Sequence, residues 1–239
     1  MIAVTTFSRT GYETYAKKML ESCVEHWPTK LVVYTESPLN LDHEKLEERN
    51  FFEIPGVQAF YQYLQNTPMA RGLVNGWYNY NYDAWKFTRK VFAQWDTLKY
   101  YDGKVIWLDA DTYVRKPVPV EWIESLFDGK ALSYLGREGL YTETGFLGFD
   151  TKSEGFKEFL DLYIGCLRRG VVFTLKRWHD CEVFDWARVN SGVSGNDLSP
   201  FFKIPEDKKM TLEDLDVFSR SVLGEYLLHF KGKRKDAYQ

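Results

Sequence analysis

Hydrophobic positions along the chain alternate between short continuous runs and longer stretches with helical spacing. The first run, residues 2–6, is apolar and rich in β-branched side chains, so it predicts a buried strand. Residues 10–27 then repeat apolar positions at helical spacing, and Thr10 with Glu13 has the spacing of a capping box. Residues 31–34 form a second apolar run. This strand–helix–strand order predicts parallel pairing in an α/β domain.

The rest of the chain repeats both patterns. Helical spacing recurs at residues 84–98 and 156–167. Further strands are predicted at residues 104–108, 131–135, 146–149 and 227–230. The polar stretch 36–50 carries neither pattern, and residues 68–81, rich in Gly, Asn and Tyr, predict a mobile lid. We therefore expect a single Rossmann-like α/β domain over residues 1–239, with a mostly parallel central sheet.

Composition narrows the class of protein. A chain of 239 residues with 44% hydrophobic content is long enough for one well-buried domain. The net charge of −3 indicates no general attraction to nucleic acid or anionic membranes. No apolar run is long enough to span a bilayer, and the start lacks the basic residues of a signal peptide. Three widely spaced cysteines favour a reducing compartment, so we expect a cytoplasmic protein.

Two acidic residues directly follow the predicted strand at residues 104–108. In open α/β sheets, ligands bind beyond the carboxyl ends of the strands. There, Asp109 and Asp111 are positioned to close around one hard cation, Mn²⁺ or Mg²⁺, which would act as a Lewis acid for a departing diphosphate. A second acidic triplet, Asp214-Leu215-Asp216, lies in an amphipathic stretch, and we interpret it as solvated surface.

A phosphatase is an alternative interpretation of the same acidic pair. Phosphatases of the haloacid-dehalogenase type also place Asp-x-Asp after an apolar strand and use the first Asp as nucleophile. That pattern has Thr or Val four residues after the first Asp, usually near the start of the chain. Here Tyr113 holds the position and the motif lies mid-chain, so a transferase is favoured.

The run Leu108-Asp109-Ala110-Asp111-Thr112-Tyr113-Val114 resembles the metal motif of the retaining GT-A glycosyltransferases of the glycogenin and bacterial galactosyltransferase type, family GT8. The resemblance implies a GT-A fold, a nucleotide-sugar donor of the UDP-sugar class, and metal binding by Asp109 and Asp111. It also implies that Asp109 lies near the donor ribose.

The second matching segment is His229-Phe230-Lys231-Gly232-Lys233-Arg234-Lys235, which is similar to the family's His-Phe-x-Gly-x-x-Lys signature. The resemblance implies that His229 is the third protein ligand of the metal and that Lys235 binds the diphosphate. A neutral imidazole suits Mn²⁺, and Gly232 would let the backbone approach a phosphate closely.

Three further residues have weaker counterparts in the family. Lys90 stands where the family has a basic residue that contacts the donor, and Asp180 where it has an Asp-Gln pair under the reacting carbon. Thr6, at the end of the first strand, is expected to contact the nucleotide. Two positions depart from the family: Glu143 replaces an Asn beside the donor sugar, and Cys181 replaces the Gln. The donor sugar and the stereochemical outcome therefore stay open.

The motifs and the resemblance together thus predict a metal-dependent glycosyltransferase. The resemblance implies a UDP-sugar donor and transfer with retention, and the acceptor is open between a glycan, a protein, a lipid and a nucleic acid. Asp180 and Lys235 are the candidate catalytic residues; in an inverting enzyme Asp180 would be the general base. We expect a nucleotide-binding part at about 1–115 and an acceptor part at about 116–239. Because Glu143 and Cys181 depart from the family, a nucleotide-sugar-binding or carbohydrate-binding module without turnover is the alternative.

Overall fold

The computed structural model describes residues 1–137, 139–199 and 216–231. Its strands are β1 (Ile2–Phe7), β2 (Leu31–Thr35), β3 (Leu46–Asn50), β4 (Leu73–Val74), β5 (Trp77–Tyr78), β6 (Lys104–Leu108), β7 (Thr112–Val114), β8 (Leu132–Leu135), β9 (Glu143–Asp150), β10 (Gly195–Asp197) and β11 (Leu227–His229). Its α-helices are α1 (Arg9–Gly11), α2 (Lys17–His26), α3 (Val57–Gln65), α4 (Ala84–Tyr100), α5 (Val120–Ser125), α6 (Phe156–Arg168) and α7 (Asp180–Ser191).

Seven strands form one central sheet in the order β10-β8-β9-β6-β1-β2-β3. All neighbouring strands in it are parallel except β9, which runs antiparallel to both β6 and β8. The predicted α/β architecture with a mostly parallel sheet is confirmed. The carboxyl ends of β1, β2 and β6 therefore lie along one edge of the sheet, where ligands bind in folds of this type.

The sheet is covered by helices on both faces, so its central strands are apolar on both sides. Val105 and Trp107 of β6 belong to one core with residues of α4, α6 and α7. Ile106 and Leu108 belong to a second core with residues of α2 and α5. The alternation of a strand's side chains between two cores explains why residues 104–108 are a continuous hydrophobic run.

Three details differ from the sequence-based expectations. The first helix is capped by Ser8, whose Oγ accepts a hydrogen bond from the Gly11 backbone N–H at 3.1 Å, and not by Thr10. The unassigned stretch 36–50 contains the edge strand β3. The expected lid contains the two-stranded hairpin β4–β5 between two short 3₁₀ turns. No helix within the three described ranges is long and apolar enough to cross a membrane.

Candidate active site

The two predicted metal-binding acids lie in a tight turn at the carboxyl end of β6. The backbone N–H of Asp109 donates to the carbonyl of Gly145 in β9 at 2.9 Å, and the Thr112 N–H donates to the Asp109 carbonyl at 2.9 Å. β7 begins at Thr112 directly after Asp111. The turn thus presents Asp109 and Asp111 together at the sheet edge.

His229 reaches this turn from 118 residues further along the chain. β11 pairs antiparallel with β7 so that His229 lies opposite Thr112, and the next residue, Phe230, donates its N–H to the Asp111 carbonyl at 2.9 Å. The His229 Nε2 atom is 3.1 Å from Asp111 Oδ1 and 3.6 Å from Asp109 Oδ2. The structure brings together all three residues that the sequence predicted as metal ligands.

The donor set fits a first-row divalent cation or Mg²⁺. One ligand atom from each of Asp109, Asp111 and His229 lies within 4.8 Å of the other two. Two ligands at about 2.1 Å from an octahedral ion lie about 3 Å apart when adjacent, which matches the His229–Asp111 distance and nearly the His229–Asp109 distance. Carboxylate oxygens with one imidazole suit Mn²⁺ or Mg²⁺ with positions left for phosphate oxygens.

Residues around His229 fix its position. Asp216, which the sequence analysis interpreted as solvated surface, is buried, and its Oδ2 accepts the His229 backbone N–H at 3.1 Å and the Ser219 N–H at 3.3 Å. That interpretation was wrong for Asp216; Asp214 lies outside the described residues. The Phe218 ring stacks on the imidazole at 4.8 Å. Gly145 is also close to the ring: a Cβ added there would be 2.6 Å from the imidazole Cε1.

The charge of His229 is set by the acids beside it. Burial acts to lower the pKa of His229, but Asp111 and Asp109 outweigh burial and raise the pKa from 6.5 to about 10. Without a metal, the ring is therefore an imidazolium near neutral pH, whereas a metal requires the neutral ring.

We therefore expect Mn²⁺ binding near pH 7.5 to release about one proton, and its affinity to rise as pH rises towards 10. Affinity rises with pH because His229 carries its proton below its pKa, and that proton must leave before Nε2 can coordinate the metal. Calorimetry in buffers of different ionisation enthalpy measures the release. His229→Gln should bind Mn²⁺ more weakly and without this release; an affinity in the wild type that does not change from pH 6 to 9 would contradict the assignment.

Lys90, predicted to contact the donor, lies between two carboxylates. Its Nζ is 2.8 Å from Asp109 Oδ1 and 2.7 Å from Asp180 Oδ2, and 3.4 Å from both oxygens of Thr144. Thr144 Oγ1 also donates a short hydrogen bond to the same Asp180 oxygen. Burial acts to lower the pKa of Lys90, but Asp109 and Asp180 raise it well above its ordinary value. Asp180, the first residue of α7, is thereby joined to the metal-binding turn.

Glu143, which departs from the family pattern, is buried and fully ion-paired. Its carboxylate accepts hydrogen bonds from Lys231 Nζ at 3.0 and 3.1 Å and lies 3.3 Å from Arg137 Nη1. Burial acts to raise the pKa of Glu143, but Lys231, His229 and Arg137 lower it.

The second departure from the family pattern, Cys181, is also buried, with Sγ 3.3 Å from Thr144 Oγ1. The Glu143–Lys231 pair was not predicted, because the two residues are 88 positions apart.

The remaining predicted residues have different outcomes. Thr6 lies near the carboxyl end of β1, where its hydroxyl donates to the Tyr34 carbonyl of β2 at 2.9 Å. Gly232 and Lys235 lie outside the described residues. Trp107 was not predicted as a site residue, but its indole N–H donates to Asp109 Oδ1 at 2.9 Å; its place in the buried strand two residues before Asp109 was the available signal.

The sequence matches no protein-family model and no curated protein. Solved structures do share its fold. Apo mouse xyloside xylosyltransferase 1 is 10% identical with a TM-score of 0.53, covering 83% of this chain and 86% of that one. The apo glycosyltransferase GlyE of Streptococcus pneumoniae is 12% identical with a TM-score of 0.50, covering 81% of this chain and 44% of GlyE, so the chain spans less than half of that protein. The chain has the GT-A glycosyltransferase fold.

Proposed function

We propose that the protein is a glycosyltransferase that moves a sugar from a UDP-sugar to an acceptor, with a divalent cation assisting the departure of UDP. The observation that carries the proposal is the convergence of Asp109, Asp111 and His229 at the carboxyl end of β6. The GT-A fold supports it, because sheets of this kind bind nucleotides at this edge.

In this proposal, Asp109 Oδ2, Asp111 Oδ1 and His229 Nε2 hold Mn²⁺ or Mg²⁺, which would neutralise charge on the leaving diphosphate. Thr6, at the end of β1, contributes to the nucleotide site. Gly232 and Lys235 approach the diphosphate, where Lys235 stabilises developing negative charge.

Asp180 is the group proposed to lie beside the anomeric carbon. Its Oδ2 is held by Lys90 and Thr144 in a buried position, which fixes the orientation of this carboxylate. We propose transfer with retention, and a division of roles between a nucleotide-binding part at about 1–115 and an acceptor part at about 116–239. An inverting reaction would instead use Asp180 as the general base.

A binding protein without turnover is the second candidate. It is favoured by one observation: at the position where the family has an Asn beside the donor sugar, this chain has a buried Glu143 already paired with Lys231 and Arg137.

A panel of nucleotide sugars separates the two candidates, because a transferase hydrolyses its donor slowly with water as acceptor. We expect UDP release from one UDP-sugar in the presence of Mn²⁺, and loss of release with excess chelator. NMR of the freed sugar would report the anomer formed first and so retention or inversion. Metal-dependent UDP binding without release from any donor would support the binding protein and contradict the transferase.

A further inference from the structure

Lys90 and the metal site share one carboxylate, and each uses a different oxygen of it. Asp109 Oδ1 faces Lys90 Nζ at 2.8 Å and also accepts the Trp107 indole N–H at 2.9 Å. Asp109 Oδ2 faces His229 Nε2 at 3.6 Å, on the side where the three metal ligands converge. The lysine side of the carboxylate is therefore occupied by two donors, and the opposite side is directed at the metal.

A second acid holds Lys90 in this place. Asp180 Oδ2 lies 2.7 Å from Nζ, and Asp180 belongs to α7, 90 residues from Lys90. The ammonium is largely buried, with 16% of its side chain exposed. Since charges in such surroundings are weakly screened, the ammonium opposes a divalent cation on the other side of Asp109.

The geometry points to a role for Lys90 as a counter-ion that couples metal binding to donor binding; this inference rests on the proposed function. Without a donor, Lys90 neutralises Asp109 and keeps metal affinity low. A diphosphate adds negative charge beside the metal and draws the ammonium away from Asp109, so the carboxylate binds the metal more strongly. By thermodynamic reciprocity, the metal then strengthens donor binding by the same factor.

The test is calorimetric titration of Mn²⁺ at one fixed pH, with and without saturating UDP. Lys90→Met should bind Mn²⁺ about tenfold or more tightly without UDP, because a positive charge beside Asp109 is gone. UDP should tighten Mn²⁺ binding by about fivefold or more in the wild type and by about twofold or less in Lys90→Met.

The matched control is Lys99→Met. Lys99 lies on the same helix, roughly 13 Å further along, over the rings of Trp95 and Tyr100. Its coupling should equal that of the wild type.

Unchanged or weaker Mn²⁺ binding by folded Lys90→Met, or wild-type coupling in that variant, would overturn the inference. If circular dichroism shows Lys90→Met to be unfolded, the same titration is made with Asp180→Asn. In that variant Asp109 is the one carboxylate partner left to Lys90 among the described residues, so Mn²⁺ should bind about threefold or more weakly, and unchanged affinity would overturn the inference. A wild type that binds no Mn²⁺ would defeat the proposed function as well, whereas metal-dependent UDP release with unaltered coupling in the variants would defeat this inference alone.

Discussion

Replacing Asp111 with Asn should weaken Mn²⁺ binding by more than about a hundredfold and abolish metal-dependent UDP release. Loss of groups that merely orient a metal ligand already costs about 10- to 100-fold, and Asp111 is placed to be a ligand itself. Asn keeps the shape of the side chain but removes the charge. It also removes the acid that contributes most to raising the pKa of His229. The pKa of His229 should therefore fall in this variant, but the imidazole cannot replace the lost carboxylate as a charged ligand.

The measurement is calorimetry with Mn²⁺ together with UDP release from the donor found in the nucleotide-sugar panel. The matched control is Asp102→Asn, because Asp102 lies before the other end of β6, is exposed and pairs with Lys152. That variant should bind Mn²⁺ and turn over as the wild type does. Near-normal Mn²⁺ affinity in folded Asp111→Asn would contradict the assignment of Asp111 as a metal ligand.

Sequence patterns predicted the interior of this fold well and its edges poorly, for a physical reason. β2 and β6 are buried on both faces, so their continuous hydrophobic runs cannot be mistaken for surface. β3 is an edge strand of sequence LEERN, held by pairing with β2 and by Glu48, which accepts from Thr35 Oγ1 at 2.8 Å and from the Leu39 N–H at 2.7 Å. Its stability comes from its neighbours, and no local pattern shows it.

The site residues likewise differ in whether a local sequence pattern marks them. Asp109 and Asp111 were predictable because they follow a recognisable strand, and His229 because a short motif surrounds it. Asp216 has no such marker: in an acidic amphipathic stretch it has the pattern of surface, and its burial under His229 depends on the docking of β11 against β7. Likewise, nothing local indicates that Lys90 lies between two acids, since the fold alone brings Asp180 to it.

Gly145→Ala should weaken Mn²⁺ binding by about 10- to 100-fold without touching any ligand atom. Gly145 has ordinary strand backbone angles, so glycine is not needed there for its conformational freedom. It is needed for room, because an added Cβ would lie 2.6 Å from Cε1 and 2.9 Å from Nδ1 of His229. Phe218 stacks on the ring and Asp216 holds the backbone of His229, and both contacts restrict how far the ring can shift. We therefore expect the imidazole to be displaced from its place beside Asp109 and Asp111.

Gly148→Ala is the matched control for this variant. Gly148 lies in the same strand, and an added Cβ would be 2.8 Å from the Phe127 ring, in the core and away from the metal ligands. Both variants should lose about 1–3 kcal/mol of unfolding free energy through overpacking. Mn²⁺ affinity, measured by calorimetry on samples that circular dichroism shows to be folded, should fall in Gly145→Ala alone. Equal Mn²⁺ affinities in the two variants would mean that the position of His229 does not govern the metal site, and Gly145 would then be only a packing residue.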